Sequence, residues 1–307
     1  MQLRTAGYFL LSLFLAHCTV CRATAKLPES ASGIGGNVFF AAEHEGGLHI
    51  VNLASGVVRE LKVGLSNVSD LTYSRKLGLL AFVGSKGHHS PGAIYLLNAR
   101  TKKQERLYSD PLVKDSLYRP SFDPGGEFLY ALNYSTGIFK YSLKARRWQP
   151  VPIDGATDFN PQGLAFSASG GHAAISPRDF KGLLIAKVEA DGFRSVRTVL
   201  SDFDSCSSPQ WINDDVIVFA GRKSAGLQFI WKFHLKTGDL VQLTKSPVGT
   251  RDFLALSPDK KSVVFTATSA NAETDWRLWL LAFDGTAARQ LTKGGELSGH
   301  LFPVWTD

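Results

Sequence analysis

An aromatic or apolar residue followed by a small or polar turn, and then by a β-rich run, recurs six times along the chain, and no other feature restricts the fold as much. The copies are Leu71-Thr-Tyr-Ser-Arg-Lys-Leu-Gly, Pro120-Ser-Phe-Asp-Pro-Gly-Gly, Leu164-Ala-Phe-Ser-Ala-Ser-Gly-Gly, Pro209-Gln-Trp-Ile-Asn-Asp-Asp, Leu254-Ala-Leu-Ser-Pro-Asp-Lys-Lys and Pro303-Val-Trp-Thr-Asp. Their third residues stand at 73, 122, 166, 211, 256 and 305, so successive copies are 44 to 49 residues apart. After each turn comes a run such as Ser262-Val-Val-Phe-Thr-Ala, a polar loop, and a run such as Arg277-Leu-Trp-Leu-Leu-Ala-Phe. A second kind of turn follows, as in Asp284-Gly-Thr, Lys236-Thr-Gly-Asp and Asp191-Gly, with the residues that two antiparallel strands need where they reverse. A fourth run ends the unit. Four strands in about 45 residues is the period of a propeller blade, and helical periodicity is absent after the first segment.

The two ends complete the count. Pro303-Val-Trp-Thr-Asp is a first strand with nothing after it, whereas Gly36–Ala42, Leu48–Leu53 and Val57–Leu61 are three strands with no first strand before them. Pairing the two pieces makes one blade and removes the sheet edges that an open ring leaves bare. The expectation is an all-β, six-bladed β-propeller with four antiparallel strands per blade, its ring closed by the C-terminal strand joining the N-terminal blade. Residues 26–307 then form a single domain. In such a blade the Ser257-Pro-Asp-Lys turn is a connection that needs no ligand: Pro258 pre-sets φ, and Asp259 bonds backbone two residues on.

Ahead of the repeats, Met1–Thr5 carries one positive charge, Ala6–Val20 is mostly apolar, and Ala23-Thr-Ala offers small residues for cleavage, the pattern of a secretory signal over residues 1–25. The apolar run is shorter than the roughly 20 residues of a membrane span and contains His17. Removing the segment takes Arg4 and Arg22 and no acids, lowering the formal net charge from +7 to +5. Cys18 and Cys21 leave with it, so Cys206 stands alone and stability must come from packing instead of a disulfide. The basic pairs Lys102-Lys103, Arg146-Arg147 and Lys260-Lys261 lie beside turns without a longer basic run or aromatic interleaving, so nucleic acid is not the expected partner.

Ser257-Pro-Asp-Lys, the strand after it, Asp284-Gly-Thr, Gln290-Leu-Thr and Phe302-Pro-Val-Trp together resemble the PD40 (WD40-like) repeat of TolB-like propellers. Ser74-Arg-Lys and Ile212-Asn-Asp depart from the Ser-Pro-Asp pattern, and the chain lacks the N-terminal α/β domain that precedes the propeller in TolB. What the resemblance implies is a scaffold that binds a protein or peptide without catalysis; with the signal segment, the expectation is an exported monomer, periplasmic or secreted, whose partner lies in the envelope or extracellular space and which has no cofactor and no membrane span.

In a four-stranded antiparallel blade, the loop that enters the first strand shares a face with the loop between the second and third. Entry segments near the axis contain Asp70, Tyr118-Arg119, Asn160, Gln162, Cys206, Arg251-Asp252 and Gly299-His300. Loops on a rigid scaffold collect binding residues, which makes Asp70, Tyr118, Arg119, Gln162, Arg251, Asp252 and His300 the expected partner-binding ring at one channel mouth. On the same face, Glu43-His-Glu-Gly-Gly-Leu-His49 and Lys86-Gly-His-His-Ser-Pro91 bring histidines and carboxylates near one another, but without the spacing of a helical metal site, and no metal ligand set is assigned. No Gly-x-Ser-x-Gly elbow occurs. The alternative is a metal-dependent propeller hydrolase acting on an ester, lactone or sugar linkage, with Asp70, Asp252 or His300 beside the ion; stoichiometric divalent metal in the purified protein separates the two. Cys206 is either a mouth thiol near His300 or a small apolar filler.

Overall fold

The structure is a computed structural model describing residues 36–42, 46–87, 91–107, 116–154, 160–178, 181–224, 227–245, 250–268, 275–292 and 299–306, without the side chains of 195, 251 and 252. The segment 1–25, the loop residues Glu43, His44, Glu45, His88 and His89, and the side chains of Arg251 and Asp252 lie outside the described residues.

Twenty-four strands run through the described residues, none of which is helical. The chain opens with β1 (Asn37–Ala42), β2 (Leu48–Asn52) and β3 (Val58–Leu61). Blade 2 follows as β4 (Asn67–Ser74), β5 (Leu79–Ser85), β6 (Ala93–Asn98) and β7 (Gln104–Leu107). Blade 3 is β8 (Tyr118–Phe122), β9 (Phe128–Asn133), β10 (Gly137–Ser142) and β11 (Arg147–Val151). Blade 4 is β12 (Pro161–Phe166), β13 (His172–Pro177), β14 (Leu183–Glu189) and β15 (Gly192–Val199). Blade 5 is β16 (Ser205–Trp211), β17 (Val216–Arg222), β18 (Phe229–His234) and β19 (Leu240–Gln242). Blade 6 is β20 (Thr250–Leu256), β21 (Ser262–Thr268), β22 (Trp276–Ala282) and β23 (Arg289–Gln290). Finally β24 (His300–Thr306) returns to pair antiparallel with β1, placing Thr306 opposite Asn37 and Trp305 opposite Val38, so that blade 1 has the order β24-β1-β2-β3. All six sheets are four-stranded and antiparallel, as the repeat predicts.

Side chains alternate across each strand, so every blade offers an apolar layer to each neighbour. Six buried clusters result, one per blade boundary. Phe39, Leu48, Val68 and Phe82 fill the first boundary, between blades 1 and 2. At the sixth, Val38, Phe40 and Trp305 of blade 1 meet Ala255, Val264 and Leu280 of blade 6. First strands touch in the cyclic sequence β4, β8, β12, β16, β20, β24 and back to β4, which closes the ring. Polar ties cross between blades as well, such as the Trp211 indole donating to the Ala165 carbonyl at 3.1 Å. Among the described residues no helix is long and apolar enough to cross a membrane.

The Ser-Pro-Asp turn behaves as its chemistry dictates. The Asp259 carboxylate accepts the Lys261 amide at 3.0 Å and the Ser257 hydroxyl at 2.6 Å, and the Ser257 oxygen accepts the Ser262 amide at 2.9 Å.

Candidate functional site

Every first strand carries a β-bulge at the same level. Pairing to the second strand shifts between Ser69 and Thr72, Tyr118 and Ser121, Pro161 and Gly163, Ser207 and Gln210, and Thr250 and Leu254; in β24 the irregularity lies between Leu301 and Val304. A bulge inserts an unpaired residue and re-aims its side chain. At four of these bulges a non-glycine residue takes a left-handed conformation: Asp70 at φ 51°, Arg119 at 49°, Ser208 at 45° and Phe302 at 54°. Each such residue costs on the order of 1–2 kcal/mol, and the flanking ladders hold it in place.

The re-aimed side chains meet on the axis. Arg119 of blade 3 pairs its Nε with the Asp70 carboxylate of blade 2 at 3.2 Å, and its guanidinium lies 4.9 Å from the Phe253 ring of blade 6. Blades 3 and 6 are diametrically opposed, so this contact spans the channel. Phe253 in turn packs on Phe302 of blade 1, with ring centroids 4.0 Å apart. Four blades thus contribute to a plug of one ion pair and two aromatic rings. Burial pushes the Asp70 carboxyl above its ordinary 3.8, outweighing the opposing pull of the Arg119 charge and the hydroxyl of Ser69, which donates to it at 3.2 Å.

On the entry side of the plug, Tyr118 and Tyr134 stack with centroids 3.9 Å apart, and the Arg178 guanidinium sits 4.5 Å from the Tyr134 ring. Tyr118 is buried and donates its phenol proton to the Pro161 carbonyl; burial first, and then the neighbouring Tyr134 phenol, drive its pKa far up. Tyr134, by contrast, is 48% exposed. On the turn side lies a chamber of about 310 Å³, walled by first-strand residues of all six blades, with Asp70, Arg119, Phe253 and Phe302 at its inner end and Arg75, Pro124 and Lys260 at its outer end.

Among the residues expected at the mouth, Asp70, Tyr118 and Arg119 come together, but within strands and not in loops, because the bulge turns the chain inward while both neighbours stay paired. Gln162 is half-buried at the bulge of β12. Arg251 and Asp252 occupy the corresponding part of β20. His300 is differently placed: only 2% exposed, it packs on Phe40 at 4.7 Å, and its Nδ1 lies 2.7 Å from the Thr292 hydroxyl. Cys206 is fully buried among the apolar residues between blades 4 and 5, and burial raises its thiol pKa well above 9.0, with Asp202 adding to the effect. That is the filler role, far from an activated thiolate. His49 is also buried, stacked on Phe40. Among the described residues no group of three or more His, Cys, Asp or Glu side chains converges as a metal ligand set.

Ser208, Phe253 and Phe302 escaped the reading of the mouth, yet each stands three residues before an anchor of the repeat, as Asp70 and Arg119 do. That register is the signal that finds them. Tyr134 and Arg178 have no comparable mark, since each lies in a loop between second and third strands with no repeat position of its own.

No protein-family profile matches the chain, and no curated protein sequence matches it. Solved structures do. TolB from Acinetobacter baumannii superposes with a TM-score of 0.70 at 17% identity, over 88% of this chain and 66% of the TolB chain. An oligogalacturonate lyase in complex with manganese aligns with a TM-score of 0.49 at 12% identity, over 84% of this chain and 74% of the other. This chain therefore spans a little under two thirds of the TolB chain's length. In fold it is TolB-like, a six-bladed β-propeller whose last strand closes its first blade.

Proposed function

We propose that the protein is an exported, non-catalytic scaffold that binds a protein or peptide partner across its entry-side mouth, acting as a monomer in the periplasm or outside the cell. The observation that carries this reading is the exposed Tyr134, stacked on buried Tyr118 and faced by Arg178, beside an axis closed by Arg119 and Asp70. Tyrosine and arginine dominate protein-binding hot spots, since they supply large contact area at little entropic cost and retain a polar handle. Here Tyr134 is held in place by its neighbours before any partner arrives, which lowers the ordering cost of association. Asp70, Tyr118, Arg119, Gln162, Arg251 and Asp252 complete the mouth; His300 supports it from the wall. The signal-like segment 1–25 supports export.

A photo-crosslinking residue placed at position 134 tests the reading in the native envelope or medium, with the same residue at position 261 on the opposite face as control. A discrete protein adduct from position 134 and none from 261 is expected. Equal adducts from both, or none from 134, would exclude the mouth.

A further inference from the structure

The turn-side chamber is separate from that mouth and has a charge pattern of its own. Arg119 reaching across to Phe253, with Phe302 and Asp70 beside them, closes its inner end, leaving a blind cup that opens on the turn face. Its wall is mixed, with Leu71, Leu164 and Trp211 among the apolar side chains and Ser121, Ser208 and Gln210 among the polar ones.

Two cations converge on the rim. Lys260 donates its Nζ to the Trp211 carbonyl at 3.1 Å, and burial, joined by the positive charge of Arg75, lowers its pKa against the smaller pull of Asp214. Arg75 therefore lies within electrostatic reach of Lys260. Half-buried Lys260 and exposed Arg75 both line the chamber, and two positive charges facing one opening favour an anion between them. The turn backbone fixes where Lys260 stands. In the matching turns of blades 3 and 4 the left-handed position is filled by Gly126 at φ 68° and Gly170 at 75°, whereas blade 6 places Lys260 there at 59°. A long side chain in that conformation costs free energy that glycine does not. The acids of these turns are engaged with backbone: Asp123 accepts the Glu127 and Phe128 amides at 2.9 and 2.6 Å, and Asp214 accepts the Ser169 amide at 2.9 Å.

The turn edges of blades 2 and 3 are rich in cations. Basic pairs far apart in sequence become neighbours on the turn edges of blades 2 and 3: Arg75-Lys76, Lys102-Lys103 and Arg146-Arg147 are all exposed. The two edges are joined by Lys76 Nζ donating to the Gly125 carbonyl at 2.5 Å and by the Arg146–Glu105 ion pair. Such a field draws anions toward the opening of the cup.

We propose that the chamber binds a small organic anion, its carboxylate or phosphate group held between Arg75 and Lys260 and its apolar body directed inward toward Phe253 and Phe302. At about 310 Å³ the space suits a small metabolite or the carboxyl-terminal residue of a peptide. This site does not depend on the partner proposed for the opposite mouth.

Calorimetric titration of the full-length protein with phenyl phosphate, with hippurate, and with the tripeptide Ala-Ala-Phe bearing a free carboxylate tests the assignment. At least one probe is expected to bind saturably with a Kd at or below about 1 mM, and Lys260→Gly or Arg75→Gln to weaken it about tenfold or more. Tyr134→Ala is expected to leave it unchanged, so failure at this site is distinguishable from failure at the mouth. Lys260→Gly should melt no lower than the parent; if it melts lower, Arg75→Gln alone carries the comparison. Binding of hippurate or phenyl phosphate without the tripeptide identifies free small anions, whereas tripeptide binding lost on amidation identifies a chain terminus. Absence of saturable binding by all three probes, or binding that survives the interpretable variants, overturns the proposal.

Discussion

Asp259 and Asp284 show how single carboxylates hold the blade turns. The Ser257 hydroxyl first, and then the Lys261 amide, lower the Asp259 pKa beneath 3.8; at Asp284 the Thr286 amide and then its hydroxyl do the same. Both folded-state values are depressed, so the stability these groups contribute is present above 3.8 and is lost as pH falls through the lower folded values. Replacing both by alanine is expected to flatten the acid limb of a plot of urea midpoint against pH. Tyr134→Ala, at an exposed position, is expected to stay within about 0.5 kcal/mol of the parent in denaturant unfolding while reducing partner capture. The buried thiol makes a different prediction: Cys206 should resist iodoacetamide at pH 8 in the folded protein and react once denaturant is added, as followed by mass spectrometry. Labelling of the native protein at the rate of a free thiol would contradict the burial.

At the scale of the element, the blade is a sheet whose inner strand does two jobs. One edge of the strand pairs with its neighbour while the bulge turns a side chain to the axis, and the surrounding ladder keeps the strained residue in place. Close packing farther out leaves little slack. A Cβ added at Gly221 in β17 would stand 2.6 Å from Phe219 Cε2 and 2.8 Å from Phe203 Cε1, so Gly221→Ala is expected to cost about 1–3 kcal/mol by chemical denaturation. Strands and turns were legible in the sequence because turn chemistry is local: Ser257-Pro-Asp and Asp284-Gly act through atoms two or three residues apart. The bulges were not. Asp70, Arg119, Ser208 and Phe302 share a backbone conformation but no residue type, so composition carries no trace of it. His300 lies two residues before Phe302 in the same strand, yet its ring packs into the wall on Phe40 while the Phe302 ring reaches the axis; the bulge at Phe302, and no feature of residue type, separates the two.

For the molecule as a whole, the ring depends on its seam. Trp305 is buried between blades 1 and 6, and Trp305→Ala is expected to lose about 3–5 kcal/mol, measured as a lower denaturant midpoint with unchanged cooperativity in the parent as reference. The blade count and the closure could be read from Pro303-Val-Trp-Thr-Asp and the three unpartnered runs at the other end, because a propeller admits few ways to complete a partial sheet. Which face holds which charge could not be read so fully. Lys102-Lys103 and Arg146-Arg147 look like isolated turn residues in the sequence, and only the packing of blade 2 against blade 3 gathers them with Arg75-Lys76.

Because β24 supplies the innermost strand of the first sheet, β1 to β3 depend on a strand that follows all five intervening blades in the chain. Chains emerge from the ribosome amino end first, so five complete blades and three orphan strands exist before the ring has any means of closing. Until β24 arrives, whatever escorts the nascent chain meets an open arc with the inner edge of β1 bare, a template for pairing with a stranger. Closure of the ring therefore joins strands from opposite ends of the propeller, and a translation fault in the codons of β24 has the reach of a fault at its heart.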